Sequence, residues 1–358
     1  MNTRITEMLS IRYPIIQAPM AGGVTTTELL TAAAEAGVLG MIGAGYMSPV
    51  QLKTQIQGIK KITSRPFGVN LFVPVNYLID QKTIKTSQEL LAPVRAALNL
   101  PELLELPTFP DLHKTFQEQV KIVIDENIPV CSFTFGLPSE ETIHELKKHG
   151  IKLVGTATNV KEAISCEQAG MDLIVLQGSE AGGHRGTFND EDYEDSLIGL
   201  MSLIPQVKKQ VQLPVIAAGG IMDGRGLVTA LHLGAEAVQM GTAFLTTKES
   251  GAHPKHKEAI LQAAEDETVI TRAFSGKPAR GIKNHFIEQL RLNEQTLPVF
   301  PVQNSLTQDI RKAAATNNNP DYMSLWSGQC PQLARDLTVQ ELVVETIKQA
   351  ELLYDKKH

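Results

Sequence analysis

Along the first two thirds of the chain, short runs of apolar and small residues alternate with longer stretches in which apolar positions recur every three or four residues. The short runs read as strands at 14–19, 39–43, 67–73, 129–135, 152–156, 172–177, 214–218 and 237–241. The longer stretches read as helices at 26–36, 49–62, 139–149, 159–169 and 224–233, with another ending near Gln210. Threonines precede the first of these helices and Gly37 follows it, as capping chemistry prefers. The alternation lapses only between residues 74 and 127, where a helical stretch contains Pro93, Pro101, Pro107 and Pro110. The prolines predict an insertion broken into short pieces after the third strand.

Strands separated by helices run parallel, because each crossover returns the chain to the same end of the sheet, and their unbroken apolar character fits burial on both faces. Eight such units within about 245 residues predict an α/β fold of the (β/α)8 or TIM-barrel type. An open doubly wound sheet is the competing arrangement. Its dinucleotide-binding form carries GxGxxG after the first strand, where this chain has QAPMAGG at 17–23. The expected organisation is a barrel over 1–245, containing the 74–127 insertion, and a cap or lid over 246–358. Within the latter, 314–320 reads as a solvated loop around Asn317, Asn318 and Asn319. Residues 338–354 form an amphipathic helix able to pack back on the barrel.

Composition narrows the function classes. Hydrophobic residues make up 42% of the 358 and charged residues 20%, which suits a compact core and not a disordered chain. A net charge of -6 argues against nucleic acid as a partner, since that affinity depends on clustered Lys and Arg. No apolar run approaches the roughly 18 residues of a membrane span, and no signal-peptide core precedes Pro14, so a cytoplasmic location is expected. The cysteines, Cys131, Cys166 and Cys330, are odd in number and far apart; they form neither a disulfide framework nor a CxxC site and read as packing residues.

Barrel enzymes place their chemistry at the C-terminal ends of the strands. The sixth strand runs into QGSEAGGHRG at 177–186, the seventh ends in AAGGI at 217–221, and the eighth in QMGT at 239–242. Glycines after two consecutive strands let backbone N–H groups approach an anion, which predicts a phosphate cradle at Gly219, Gly220 and Gly241. His184 is the leading catalytic candidate, an imidazole in a glycine-rich loop at the reactive face, with Arg185 beside it. His253 and His256 are close in sequence, but no acid or cysteine cluster completes a metal site, and both read as solvent-facing. Asn70 and Gln177 are amides within strands; each suits either a heterocycle with alternating donors and acceptors or a neighbouring backbone group. Met20, after the first strand, suits either a ligand ring or the core.

Taken together, QAPMAGG, GVNLF at 68–72, QGSEAGGHRG, AAGGI, QMGT and ARGIKN at 279–284 resemble the FMN-dependent nitronate monooxygenases, formerly called 2-nitropropane dioxygenases. The resemblance covers most of residues 1–290. It implies an FMN whose phosphate is held by Gly219, Gly220, Gln239, Met240, Gly241 and Thr242, and whose ring meets Met20, Asn70, Gln177 and Gly182. It assigns His184 as the active-site histidine. The substrates it implies are alkyl nitronates, notably propionate 3-nitronate, oxidised with O2 to a carbonyl compound and nitrite. Two relatives of the same design remain as alternatives, an FMN-dependent enoyl-acyl-carrier-protein reductase and an NADH:quinone reductase, as does a flavin-binding module without catalysis. The physiological nitronate, the lid residues that select it and the oligomeric state, a homo-oligomer included, stay open at this level.

Overall fold

The computed structural model describes residues 1–103, 105–190 and 193–355. Its strands are β1 (Ile15–Gln17), β2 (Gly40–Gly43), β3 (Phe67–Phe72), β4 (Val130–Thr134), β5 (Lys152–Ala157), β6 (Leu173–Gln177), β7 (Gly183–His184), β8 (Val215–Ala218), β9 (Ala237–Met240), β10 (Thr268–Thr271) and β11 (Ala279–Ile282). Eight of them form one parallel sheet in the order β1-β9-β8-β6-β5-β4-β3-β2. The sheet closes where Ile16 bridges Leu39, through Gln17 N–H to the Leu39 carbonyl and Leu39 N–H to the Ile15 carbonyl. This is the TIM barrel that the alternating pattern predicts. No helix among the described residues is long and apolar enough to cross a membrane.

The helices start where local chemistry tells them to. Ser48 accepts the Gln51 N–H while the Gln51 side chain accepts the Ser48 N–H, and Pro49 occupies the first helical turn of Pro49–Ile62, so two otherwise orphaned donors are satisfied. The side chains of Thr26, Ser139 and Asn159 each accept one backbone N–H, from Leu29, Thr142 and Glu162, at the start of their helices.

The pleat then sorts the barrel residues into two cores. One parity of each strand, including Ile42, Val69, Leu71, Cys131, Phe133, Leu153, Ile174, Leu176, Val215, Ala217, Val238 and Met240, faces the surrounding helices. The other parity faces inward, where Ile16, Leu39, Met41, Val130, Val154, Leu173, Val175, Ile216, Ala218 and Ala237 fill the barrel and Ile5 and Leu9 of the helix Arg4–Leu9 plug it. Two residues further along the strands, several inward positions turn polar, at Ser132, Thr156 and Gln239, while Val175 and Ala218 stay apolar.

The region after β3 differs from its expected form. Pro93 does not break a helix; Gln81–Ala97 runs through it. Its apolar face, Ile84, Leu91, Val94 and Leu98, is buried against Phe274, Phe286, Leu290, Val302 and Leu306, and Ser87 and Arg95 are bonded to Gln303 and Asp309 on either side of the proline. Tertiary packing outweighs the missing backbone donor. The next helix, Leu112–Asp125, is capped by Asp111 and packs on β3 and on Pro49–Ile62 as the ordinary barrel helix leading into β4. The extra material is therefore the stretch before it.

Beyond β9, β10 and β11 pair antiparallel, and β11 pairs with β7, with Ala279 opposite His184 and Arg280 opposite Gly183. A three-stranded sheet thus forms over the barrel mouth. The expected loop at 314–320 is half helix. Gln308–Thr316 extends through Ala314, which is fully buried, and only the asparagines end it. The last helix, Val339–Asp355, lies on the barrel helices Gly224–Leu233 and Thr27–Glu35.

Candidate active site

The polar inward positions, the loops after the strands and the sheet above them enclose a cavity at the C-terminal mouth of the barrel, with about 1320 Å³ of open space, mouth included. Val175 and Ala218 form its floor. Asn70, Ser132, Thr134, Thr156, Gln177 and Gln239 rise from the strands around it.

His184 is placed by bonds made on both sides of its backbone. Gln177 Nε2 donates to the His184 carbonyl at 3.0 Å and Gln177 Oε1 accepts the Gly186 N–H at 2.7 Å, so both ends of this amide hold the loop. The pairing of β7 with β11 and the bond from Arg185 N–H to the Pro278 carbonyl fix the other edge. His184 faces the cavity. Arg185, the next residue, therefore points the other way; it is fully buried and donates to the carbonyls of Gly178 and Gln177. It braces the loop and does not reach the cavity.

Around the imidazole stand the rings of Trp326 at 5.4 Å, Phe135 at 6.0 Å and Tyr46 at 6.5 Å between centroids, with Phe72 against Phe135 and Tyr46. Its Nε2 lies 2.9 Å from Ser275 Oγ. Burial, reinforced by the nearby cations Lys277 and Arg311, pushes the His184 pKa down to about 3, so the ring is neutral at ordinary pH. Lys277 is itself buried, paired with Asp190 and positioned 4.3 Å over the Phe135 ring. Arg311 donates to the Asn304 carbonyl and side chain. The wall next to His184 is thus aromatic, with Arg311 and the Lys277–Asp190 ion pair close by but outside the cavity lining.

At the opposite side, Gly219 (φ 134°) and Gly220 (φ 64°) turn the chain through a conformation that side chains resist. Among the described residues, the backbone N–H groups of Gly219, Gly220, Gly241 and Thr242 have no hydrogen-bond partner within the protein, and all four residues line the cavity. Donors left open in this way need a ligand or water to satisfy them, and a phosphate matches them. Glu180 stands beside Gly220, its Oε1 bonded to Leu200 N–H and its Oε2 buried without a hydrogen-bond partner among the described residues, with Arg185 and Arg280 within Coulombic reach. The segment Ser327–Gly328 crosses the mouth between these halves. Gly328 N–H donates to Thr242 Oγ1, and a Cβ on Gly182 would lie 2.5 Å from Gly328 N, so only glycine admits this approach.

Of the residues expected to hold a cofactor, Met20, Asn70, Gln177, Gly182, Gly219, Gly220, Gln239, Gly241 and Thr242 meet in this one cavity. Met240 does not join them; its side chain packs among the barrel helices, because neighbours on a strand face opposite ways and Gln239 takes the inward direction. Asn70 donates to Ser132 Oγ at 2.8 Å and to Thr134 Oγ1 at 3.0 Å, a ring of polar contacts across β3 and β4. His256 is corrected: it is buried, lines the cavity, and makes a 2.9 Å hydrogen bond between Nε2 and the Trp326 carbonyl, with burial lowering its pKa to about 4. Cys131 and Cys166 are buried, whereas Cys330 lies in the cavity wall. Among the described residues no group of three or more His, Cys, Asp or Glu could hold a metal ion.

Comparison with known proteins bears on this geometry. A family model for nitronate monooxygenases matches residues 2–349. The chain belongs to the nitronate monooxygenase family. It is 48% identical over 354 residues to a Staphylococcus haemolyticus protein named "Probable nitronate monooxygenase", covering 98% of each chain, and 48% identical over 348 residues to the protein of that name in Staphylococcus aureus, covering 97% of each. Among solved structures, a nitroalkane oxidase from Streptomyces ansochromogenes superposes with a TM-score of 0.92 at 37% identity over 99% of both chains. FabK from Thermotoga maritima gives 0.77 at 31% identity over 99% of this chain and 98% of its own. As a member of this family the protein is an oxidoreductase.

Sequence reasoning missed several residues that surround His184. Ser132, Thr134 and Phe72 were legible from strand parity, since they share the inward direction of Asn70. Ser275 and Lys277 lie just ahead of the ARGIKN segment that forms β11. Trp326 carries no local signal; it arrives through a long excursion of the chain.

Proposed function

We propose that this oxidoreductase binds FMN across the barrel mouth and oxidises alkyl nitronates with O2 to a carbonyl compound and nitrite. The single observation that carries the reading is the pairing, within one cavity, of a neutral His184 with a cradle of unpartnered backbone donors 35–58 residues further along the chain at Gly219, Gly220, Gly241 and Thr242. The cradle fits the FMN phosphate, and Met20, Asn70, Gln177 and Gly182 fit its ring. When bound, FMN supplies the electron-accepting chemistry that no side chain can.

The chain's own residues then deal with charge, shape and protons. Arg311 gives the His184 side a positive potential that attracts an anion, while Lys277 is compensated by Asp190. Tyr46, Phe72, Phe135 and Trp326 exclude water around it and contact an alkyl group. A histidine held near a pKa of 3 accepts protons weakly, so the site favours a substrate that arrives already deprotonated, as a nitronate does. With a neutral nitroalkane, His184 has to take the α-proton. Propionate 3-nitronate, whose carboxylate adds a second negative charge, suits the side of the cavity near Arg311.

The reductase readings require a nicotinamide as electron donor. Anaerobic mixing decides between them: bleaching of the flavin by a nitronate alone is the expected result, and rapid bleaching by NADH with no response to nitronate would replace this reading by a reductase. Phosphate analysis of the released yellow chromophore tests FMN directly. No turnover of any nitronate, quinone or enoyl thioester by flavin-loaded protein would leave only a binding module.

A further inference from the structure

The hydroxyl of buried Ser275 has three neighbours: His184 Nε2 at 2.9 Å, the Lys277 carbonyl oxygen at 3.1 Å and the Lys277 backbone N–H at 3.3 Å. A hydroxyl has one proton to give. Given to the Lys277 carbonyl, it leaves Oγ to accept from the Lys277 N–H and from an Nε2–H. Given to Nε2, it would strip the carbonyl of buried Lys277 of its sole hydrogen bond among the described residues, a state that folded proteins seldom tolerate. The first arrangement satisfies every group, and it forces the proton of the neutral imidazole onto Nε2.

We infer that Ser275 is a positioning residue that fixes His184 as the Nε2–H tautomer and leaves Nδ1 as its proton-accepting atom. The turn that carries Ser275 is rigid enough for this task. Gln303 Nε2 donates to the Ala273 carbonyl at 2.8 Å, the Ser87 hydroxyl donates to Gln303 Oε1 at 2.7 Å, and the Thr307 hydroxyl donates to the Phe274 carbonyl. Gln303, Ser87 and Thr307 are all fully buried. Hydrogen bonds therefore tie the helix Gln81–Ala97 after β3, through Val302–Leu306, to the backbone at Ala273 and Phe274, directly before Ser275. In this respect the extra helix supports the histidine without touching the cavity.

The catalytic consequence rests on the proton-accepting role proposed above for His184; the tautomer itself does not. The test is therefore in two parts. Nitrogen-15 NMR of the imidazoles in flavin-loaded protein, with His184→Asn to assign the signal, should give a proton-bearing Nε2 and a lone-pair Nδ1 for His184. Ser275→Ala should show both tautomers, and Ser275→Thr, which keeps the hydroxyl, should restore the wild-type pattern. In turnover, Ser275→Ala should lower kcat for a neutral nitroalkane roughly 10- to 100-fold, within the range a positioned base contributes, while KM and nitronate turnover change less than about twofold. A wild-type His184 protonated on Nδ1, or an alanine variant with an unchanged spectrum, overturns the inference, and the wild-type spectrum alone suffices if the alanine variant does not fold. A spectrum as expected, in a protein that turns over neither substrate, would uphold the role of Ser275 and remove the proposed function instead.

Discussion

The two ends of the same barrel interior make an instructive contrast. Towards the N-terminal ends of the strands, the inward positions are Met41, Val130, Val154, Leu173, Ile216 and Ala237, closed off by Ile5 and Leu9. Two residues along, on the same pleat, they become Gly43, Ser132, Thr156, Val175, Ala218 and Gln239, with Asn70, Thr134 and Gln177 at or near the same level. The first layer fills space with carbon and needs nothing else. In the second, side chains that bond to each other or face the cavity leave backbone donors unmatched at the loops beyond, as a ligand-binding end must. Stability and binding are thus separated along the barrel axis by one step of the strand period.

This separation can be broken in several places. The largest effect expected is at the mouth: His184→Asn should reduce turnover of a neutral nitroalkane by ~10²–10⁴-fold, measured as O2 consumption, and affect nitronate turnover far less. Equal losses on both substrates would deny His184 a proton-accepting role. In the lower layer, Leu173→Ala should cost about 2–5 kcal/mol in a denaturant titration, as a buried leucine truncation does, with activity per bound flavin unchanged. Activity falling in step with stability would mean that the two ends are not independent.

The pH dependence sharpens the contrast further, because the mouth holds two histidines whose folded pKa values, about 3 for His184 and about 4 for His256, lie below their ordinary 6.5. Below pH 6.5 the unfolded chain binds protons that the folded one refuses. Stability is therefore fully present above pH 6.5 and falls as the pH drops towards 4, by at most about 1.4 kcal/mol per pH unit for each histidine. His256→Gln should remove one share of this slope; a melting temperature as flat in the wild type as in the variant would contradict the buried, neutral state. The smallest effect belongs to the barrel exterior. Ser48→Ala removes a helix cap and should cost about 1 kcal/mol with flavin content untouched.

Much of the barrel was readable in advance because strands and helices announce themselves through periods of two and 3.6 residues, and a cap such as Thr26 acts within one turn. Pro93 misled because its local cost is real, and the contacts that offset it, with Gln303 and Asp309, come from more than 200 residues away. His256 misled for a similar reason: nothing near it in the chain announces that Trp326 will cover it. Met240 was a different kind of miss, one that strict use of strand alternation beside Gln239 would have prevented.

Local pattern along the chain specifies the number and order of the barrel strands, the glycine turns after β8 and β9, and the presence of His184 at the reactive end, all of which depend on residues close together in sequence. The surroundings of that histidine come from long-range packing instead: Arg185 turns away to brace the loop, β11 clasps its backbone, and Ser275 and Trp326 meet at its ring. Those contacts join segments about 90 to 140 residues apart, and no local pattern encodes a distance that only the closed barrel and the sheet above it bring to a few ångströms.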